Sequence, residues 1–322
     1  MRKALVREAF TWHRPLMGFA AAMTGLGAVS LGGLLLDGRE LIGEPIWAKS
    51  VKFCISFTLY AITWSWMYHH LRRWRRTAWW GGAVFTVAGV VEMAVVVVQI
   101  ARGERSHFNV DTPLDSALFD VMTASAIGLL IGHLLLVPPL LAGHRGDRAV
   151  TSAIRAGAAL CGLGMALGVL MTGSNPRQRA VGGPGVVGAH TVGQPDGGPG
   201  IPILGWSTVG GDLRIPHFIG LHALQVLPLL VIALSAAATR WPRLADEPLR
   251  GRLVRIAAAG YLGLIALVTW QALRGQSLVH PDPLTLGAAA ALLAAVLAAV
   301  TAALRQARET LDTPRKGTVT TR

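Results

Sequence analysis

Charge is what this chain has least of. Only 15% of its 322 residues are Asp, Glu, Lys or Arg, while 52% are hydrophobic and the mean hydropathy is +0.48. A soluble domain draws about a quarter of its residues from the charged types, so the deficit excludes an ordinary soluble globule and points to a bilayer as solvent. Cysteine is nearly absent. Cys54 and Cys161, both inside apolar runs, exclude a disulfide-stapled secreted scaffold and any multi-cysteine metal cluster. No Walker loop, H-E-x-x-H, C-x-x-C or G-x-S-x-G occurs. ATP-driven transport, zincin chemistry and the serine-hydrolase elbow therefore lack their signatures.

Apolar runs of spanning length are abundant. A run of about 20 residues crosses a ~30 Å hydrocarbon core, and eight are present, near 16–36, 46–68, 78–101, 114–142, 153–172, 216–238, 253–273 and 284–304. The first is too long for a signal-peptide core and has no small-x-small cleavage site before Asp37, so it reads as a retained span. The net charge of +13 would suit nucleic acid if it formed one patch. Instead Arg2, Lys3, Arg7 and Arg14, then Arg72, Arg73, Arg75 and Arg76, then Arg145, Arg148 and Arg155, then Arg240, Arg243, Arg250, Arg252 and Arg255, and finally Arg305, Arg308, Arg315, Lys316 and Arg322 fall in alternate connections and at the two termini. That is the positive-inside bias. It predicts eight spans in a bacterial cytoplasmic membrane, both termini cytoplasmic and no nucleic-acid partner. Trp12, Trp74, Trp79, Trp80 and Trp241 at inner ends, with Trp47 and Trp270 at outer ends, fit an interfacial belt.

Two echoes suggest parallel duplication. Gln99-Ile-Ala-Arg102-Gly103 and Gln271-Ala-Leu-Arg274-Gly275 both read Q-x-x-R-G at the outer end of a span, and Gly25-Leu-Gly27 is echoed by Gly162-Leu-Gly164. Their offsets differ by about the extra length of the third outer loop, 174–215. The expected fold is all-α: a four-helix half over 1–148, a second over 149–305 carrying that loop, and a cytoplasmic tail over 306–322. Parallel repeats are a known membrane architecture. The glycine run 162–168 sits inside a span, so it reads as close helix packing and not as a dinucleotide fingerprint. The long loop is rich in glycine but also holds Ile201, Ile203, Leu204, Trp206 and Leu213, which favours an ordered cap over a solvated linker.

Ionisable residues within spans are costly and mark a functional interior by default. Lys49, Lys52, Ser56, Tyr60 and Thr63 share one stripe of the second span, Ser116, Asp120 and Thr123 one face of the fourth, and Glu92 and Gln99 one face of the third. His222 and Gln225 lie three apart in the sixth, with His217 near its start. At ~1.5 Å per residue, Lys52, Asp120 and His222 fall about 7–11 Å below the outer surface. The bland reading pairs Lys52 with Asp120 or Glu92 as structural ion pairs. The sharper one gathers these groups into an outward-facing pocket between the halves, rimmed by Arg102, Arg274 and His107, with Asn109 and Asp212 close by. His133, deeper and without evident polar neighbours, reads as a satisfied core histidine. His107, His190, His217 and His222 are the candidate metal ligands, but no motif specifies zinc or haem.

The stretches Trp47-Ala-Lys49-Ser-Val-Lys52-Phe53, Arg102-Gly-Glu-Arg-Ser106-His107-Phe108-Asn109, Asp196-Gly-Gly-Pro-Gly200 and Gly205-Trp-Ser-Thr208 through His217 to Gln225 resemble an uncharacterised family of bacterial integral membrane proteins, over most of the chain. That resemblance marks residues without implying an activity. Two four-helix halves are also remotely similar to haem A synthase and cytochrome b561-like bundles. However, the second and eighth spans contain no histidine, which excludes a bis-histidine haem in each half. The leading expectation is a protein that binds, or as an enzyme transforms, a small anionic or amphiphilic ligand at the outer face. A secondary transporter, a haem- or quinone-dependent redox protein and a metal-dependent hydrolase remain as alternatives.

Overall fold

The structure, a computed structural model, describes residues 2–142, 147–173, 176, 179–180 and 185–312, with side chains over 7–309 of these. Arg145, parts of the expected outer loop (174–175, 177–178 and 181–184) and the last ten residues of the expected tail lie outside them. Nine α-helices occur among the described residues: α1 Arg2–Trp12, α2 Arg14–Leu36, α3 Ala48–His69, α4 Arg75–Arg102, α5 Pro113–Ala142, α6 Arg148–Leu167, α7 Arg214–Ala237, α8 Glu247–Leu273 and α9 Pro283–Asp312. Two 3-10 turns, Gly168–Thr172 and Pro242–Ala245, and two tiny antiparallel ribbons, β1 Glu40–Leu41 with β2 Glu44–Pro45 and β3 Thr191–Val192 with β4 Gly211–Asp212, complete the described elements. The all-α expectation holds. Helix α1 has no counterpart in the apolar-run reading, because it is short and polar.

Seven helices, α2 and α4 to α9, are long and apolar enough to cross a membrane, which makes this a multi-pass membrane protein in contact with lipid. The second expected run, 46–68, forms helix α3, 22 residues long, which is not among these seven because Lys49, Lys52 and its many Ser, Thr, Trp and Tyr residues dilute its hydropathy. Local chemistry fixes the helix ends. His13 caps α2 by accepting from Leu16 N at 3.3 Å, Asp147 caps α6 through Ala149 N and Val150 N, and Asp246 caps α8 through Leu249 N. Gly103, at φ 76, closes α4 in the left-handed conformation that glycine adopts without a Cβ clash.

The main core joins α2 to α5 and reaches into α6 and α7 through Ile154, Ala158, Cys161 and Leu224. At its centre Phe19, Phe57 and Phe85 pack edge to face, and Tyr60 stacks on Phe85 at 4.3 Å. Helix α3 runs antiparallel along α2 from end to end. Gly33 near the C-terminal end of α2 lies under the Trp47 indole, and His13, which caps its N-terminal end, meets Tyr68 edge-on at 5.0 Å. A second core joins α6, α7 and α8; α9 rests against α8 and leaves most of its surface to lipid. His133 is fully buried where α3, α5 and α6 meet. Tyr60 Oη donates to its Nδ1 and its Nε2 donates to the Ala158 carbonyl at 2.9 Å, so it is the satisfied core histidine expected.

Glycines set how close the helices come. A Cβ on Gly164 would stand 2.4 Å from Leu221 N and 2.5 Å from Gly220 C, so α6 and α7 touch backbone to backbone. Gly25, on the exposed face of α2, has open space where its Cβ would be. Gly164→Ala should therefore force α6 and α7 apart and cost about 1–3 kcal/mol, the usual range for overpacking, while Gly25→Ala should cost nothing. Thermal unfolding in detergent checks both; equal midpoints for the two variants would contradict this packing.

Candidate functional site

Polar groups concentrate at the N-terminal end of α3, where Lys49 and Lys52 lead in two directions. Lys49 donates from Nζ to Ser106 Oγ at 2.7 Å and to His107 Nδ1 at 2.8 Å. Because Nδ1 accepts, the ring proton belongs on Nε2, which lies 3.4 Å from Glu92 Oε1. Ser125 Oγ donates to Glu92 Oε2. A chain of contacts thus runs Ser106, Lys49, His107, Glu92, Ser125 from α3 through the 103–112 loop to α4 and α5. Burial first, then the Lys49 ammonium, push the His107 imidazole down to about 4 against the pull of Glu92. It is therefore neutral at physiological pH, with 22% of its side chain still exposed.

The 103–112 loop is held rigidly. Phe108 sits at φ 58, a left-handed conformation uncommon for a bulky residue, and its buried ring fills the space beside Gly188. Asn109, fully buried, accepts from Asp111 N and donates to the Arg105 carbonyl. It shapes this loop.

Lys52 reaches the cap. Its Nζ donates to Glu44 Oε2 at 2.7 Å and to the Leu204 carbonyl at 3.0 Å. Arg214 at the start of α7 meets Glu44 at 3.4 Å and fully buried Asp212 at 2.7 Å. The described part of the long loop folds on itself: β3 pairs with β4, and the Asp196 carboxylate takes the amides of His190 and Thr191 and the His190 ring. Burial alone would raise Asp196; the His190 ring and those amides overcome it and hold the carboxyl well below the usual range. Ser277 Oγ donates to the Ser207 carbonyl, tying the loop to the α8–α9 connection. This part of the loop is an ordered cap.

Several expected site residues do other work. Asp120 is exposed, as is Thr123, and Lys52 pairs with neither Asp120 nor Glu92. Helix α5 is rotated so that Asp115, Met122, Ser125 and His133 face inward, which turns the Asp120 face outward. Buried Gln99 donates to Asp115 Oδ1 at 2.9 Å and accepts from Arg102, which also pairs with Asp115 at 2.6 Å. Arg274 pairs with Asp282 and lies over Trp270. His217 donates from Nδ1 to the Gly164 carbonyl at 2.7 Å. His222 donates to Gln225 Oε1 at 3.3 Å and faces Ser56 Oγ at 3.5 Å. Among the described residues no three His, Cys, Asp or Glu side chains are placed to hold a metal ion.

The sequence reading missed Glu44, Asp115, Ser125 and Arg214 as site members and gave Ser106 no role. Asp115 carried a readable signal: Thr112-Pro-Leu-Asp115 is a reciprocal cap, Asp115 N donating to Thr112 Oγ1 and Thr112 Oγ1 to Asp115. Its counterpart before α9 is Asp282-Pro-Leu-Thr285, with Thr285 N donating to Asp282 at 2.8 Å. Gln99 and Gln271 each donate to the carbonyl six residues on. No protein-family model, curated protein or solved structure matches this chain, so the motif resemblance finds no counterpart there and the site rests on its geometry.

The depressed His107 value has a measurable consequence. An imidazole at about 4 in the folded protein and about 6.5 unfolded binds protons more readily when unfolded. It contributes stability fully above pH about 6.5 and loses it as pH falls toward 4, by up to about 3 kcal/mol. Unfolding midpoints of the wild type should fall more steeply between pH 7 and 4 than those of His107→Gln; parallel slopes would contradict the assignment.

Proposed function

We propose that this protein binds an amphiphile at its outer face, with the polar head at Lys49, Ser106 and His107 and the tail directed toward lipid along Phe53. The observation that carries the reading is the polar chain from Ser106 to Glu92, held beside the cap yet still partly open at His107. The anionic variant of the reading is weaker, because Lys52, Arg102, Arg105, Arg214 and Arg274 each already face a carboxylate. Phe53 meets His107 edge to face at 5.9 Å, which supplies apolar surface beside the polar group. The transporter alternative gains little from the inner half, where His133 has both ring nitrogens engaged.

Topology is part of the same proposal: eight crossings, both termini cytoplasmic, with the cap outside. The end-to-end run of α3 along α2 supports the eighth crossing, since 22 residues rise about 33 Å. The paired caps and paired glutamines at the outer ends of α4 and α8 support descent of the two halves from one four-helix unit.

A neutral monoacylglycerol carrying a photoreactive diazirine, added to the protein in phospholipid nanodiscs, tests the binding. Cross-links should concentrate on residues 48–59 and 103–110 and fall several-fold in His107→Ala. Labelling spread evenly over lipid-facing helices and unchanged by that substitution would sink the reading.

A further inference from the structure

We propose that Ser106 and Lys49 form a nucleophile–base pair, and that the amphiphile is an acyl ester whose acyl group is transferred to Ser106. This rests on the binding reading above and names its chemistry. An activated serine is recognised by a base within hydrogen-bond reach, itself oriented by a third group. Here Ser106 Oγ is 2.7 Å from Lys49 Nζ, Lys49 is 2.8 Å from His107 Nδ1, and His107 Nε2 faces Glu92, which Ser125 holds. The nearest carboxylate stands one histidine away from the amine. Lys49 is therefore not locked into an ion pair, unlike Lys52 with Glu44, and a part-buried amine with neutral partners is the form of lysine that works as a base.

A second observation points the same way. Among the described residues the backbone N–H groups of Ser106, His107 and Phe108 donate to no partner, although Ser106 and Phe108 are buried. Buried amides are almost always paired. Three amides in sequence without a partner, on a loop held by the left-handed Phe108, are available as donors to a developing oxyanion.

The chemistry balances without a cofactor. With the Lys49 amine neutral, the 2.7 Å contact runs from the Ser106 hydroxyl to Nζ. The Oγ electron pair forms a bond to the acyl carbon as Nζ takes the hydroxyl proton. The ester C–O bond then breaks, and the leaving alkoxide takes that proton and departs as an alcohol. Water from the outer phase attacks the acyl-serine, gives a proton to Lys49, and releases the carboxylic acid as Ser106 Oγ recovers that proton. In this step His107 positions the amine through Nδ1 and takes no proton from the ester.

An alkyl fluorophosphonate reports this nucleophile directly, because Oγ displaces fluoride and leaves a stable adduct that peptide mass spectrometry locates. Wild-type protein in nanodiscs should carry the adduct on Ser106, and Ser106→Ala should carry none. Lys49→Arg keeps the cation but cannot act as a base and should slow labelling about a hundredfold or more, the usual loss when a general base is removed. Cross-linking of the wild type by the diazirine monoacylglycerol is read independently of any Ser106 adduct, which separates the two proposals. Cross-linking without any Ser106 adduct overturns the nucleophile and leaves binding intact. An adduct that forms equally fast in Lys49→Arg also overturns the pair. An adduct without site-directed cross-linking overturns only the ligand assignment.

Discussion

Two ammonium groups at the outer end of α3 have to be kept from lipid, and the outer architecture follows from how that is done. Lys49 and Lys52 lie three residues apart on one helical face. An unpartnered charge in the hydrocarbon costs about 2.5–3.5 kcal/mol on insertion scales. Lys52 is met by Glu44 from the first outer loop and by the Leu204 carbonyl of the cap, and Glu44 in turn engages Arg214 at the head of α7. One lysine therefore ties the first outer loop, the cap and the second group of helices together. Lys49 turns the other way and is met by neutral partners, Ser106 and His107, with Glu92 behind. That asymmetry separates a structural ion pair from a group with chemistry to perform.

The same stripe continues inward. Ser56 faces His222 on α7, and Tyr60 donates to His133 on α5. Ser56 and Tyr60 meet partners on other helices, and Lys49 and Lys52 meet partners on loops, so α3, the long helix left out of the apolar seven, helps join the groups of helices. Its low hydropathy and its central place have one cause. A helix surrounded by protein need not be apolar all round, whereas α9, which faces lipid over most of its surface, is mostly Ala and Leu.

Much of this was legible in the sequence. Apolar run lengths located the long helices, the α3 stripe and the inward Glu92 and Gln99 followed from helical spacing, and His133 read as a core histidine from its depth in an apolar run. The close packing of the 162–168 glycines was readable for the same reason. What failed was pairing. Helical phase within α5 gave a polar face with Asp120 on it, but which face turns inward was decided by the buried set Asp115, Met122, Ser125 and His133, packed against α4 and α3. Glu44 and Arg214 lie outside the apolar runs, so counting charges at membrane depth overlooked the partners of Lys52. Asp115 was readable through its cap with Thr112.

The account depends on α3 crossing the bilayer with Lys49 at its outer end. Single cysteines at Glu40 and Arg73, flanking α3, settle this against a low background, since Cys54 and Cys161 are both buried. A membrane-impermeant maleimide applied to intact cells should modify position 40, and position 73 only after permeabilisation. Labelling of both positions from the same side would contradict the crossing, and with it the outward placement of the site.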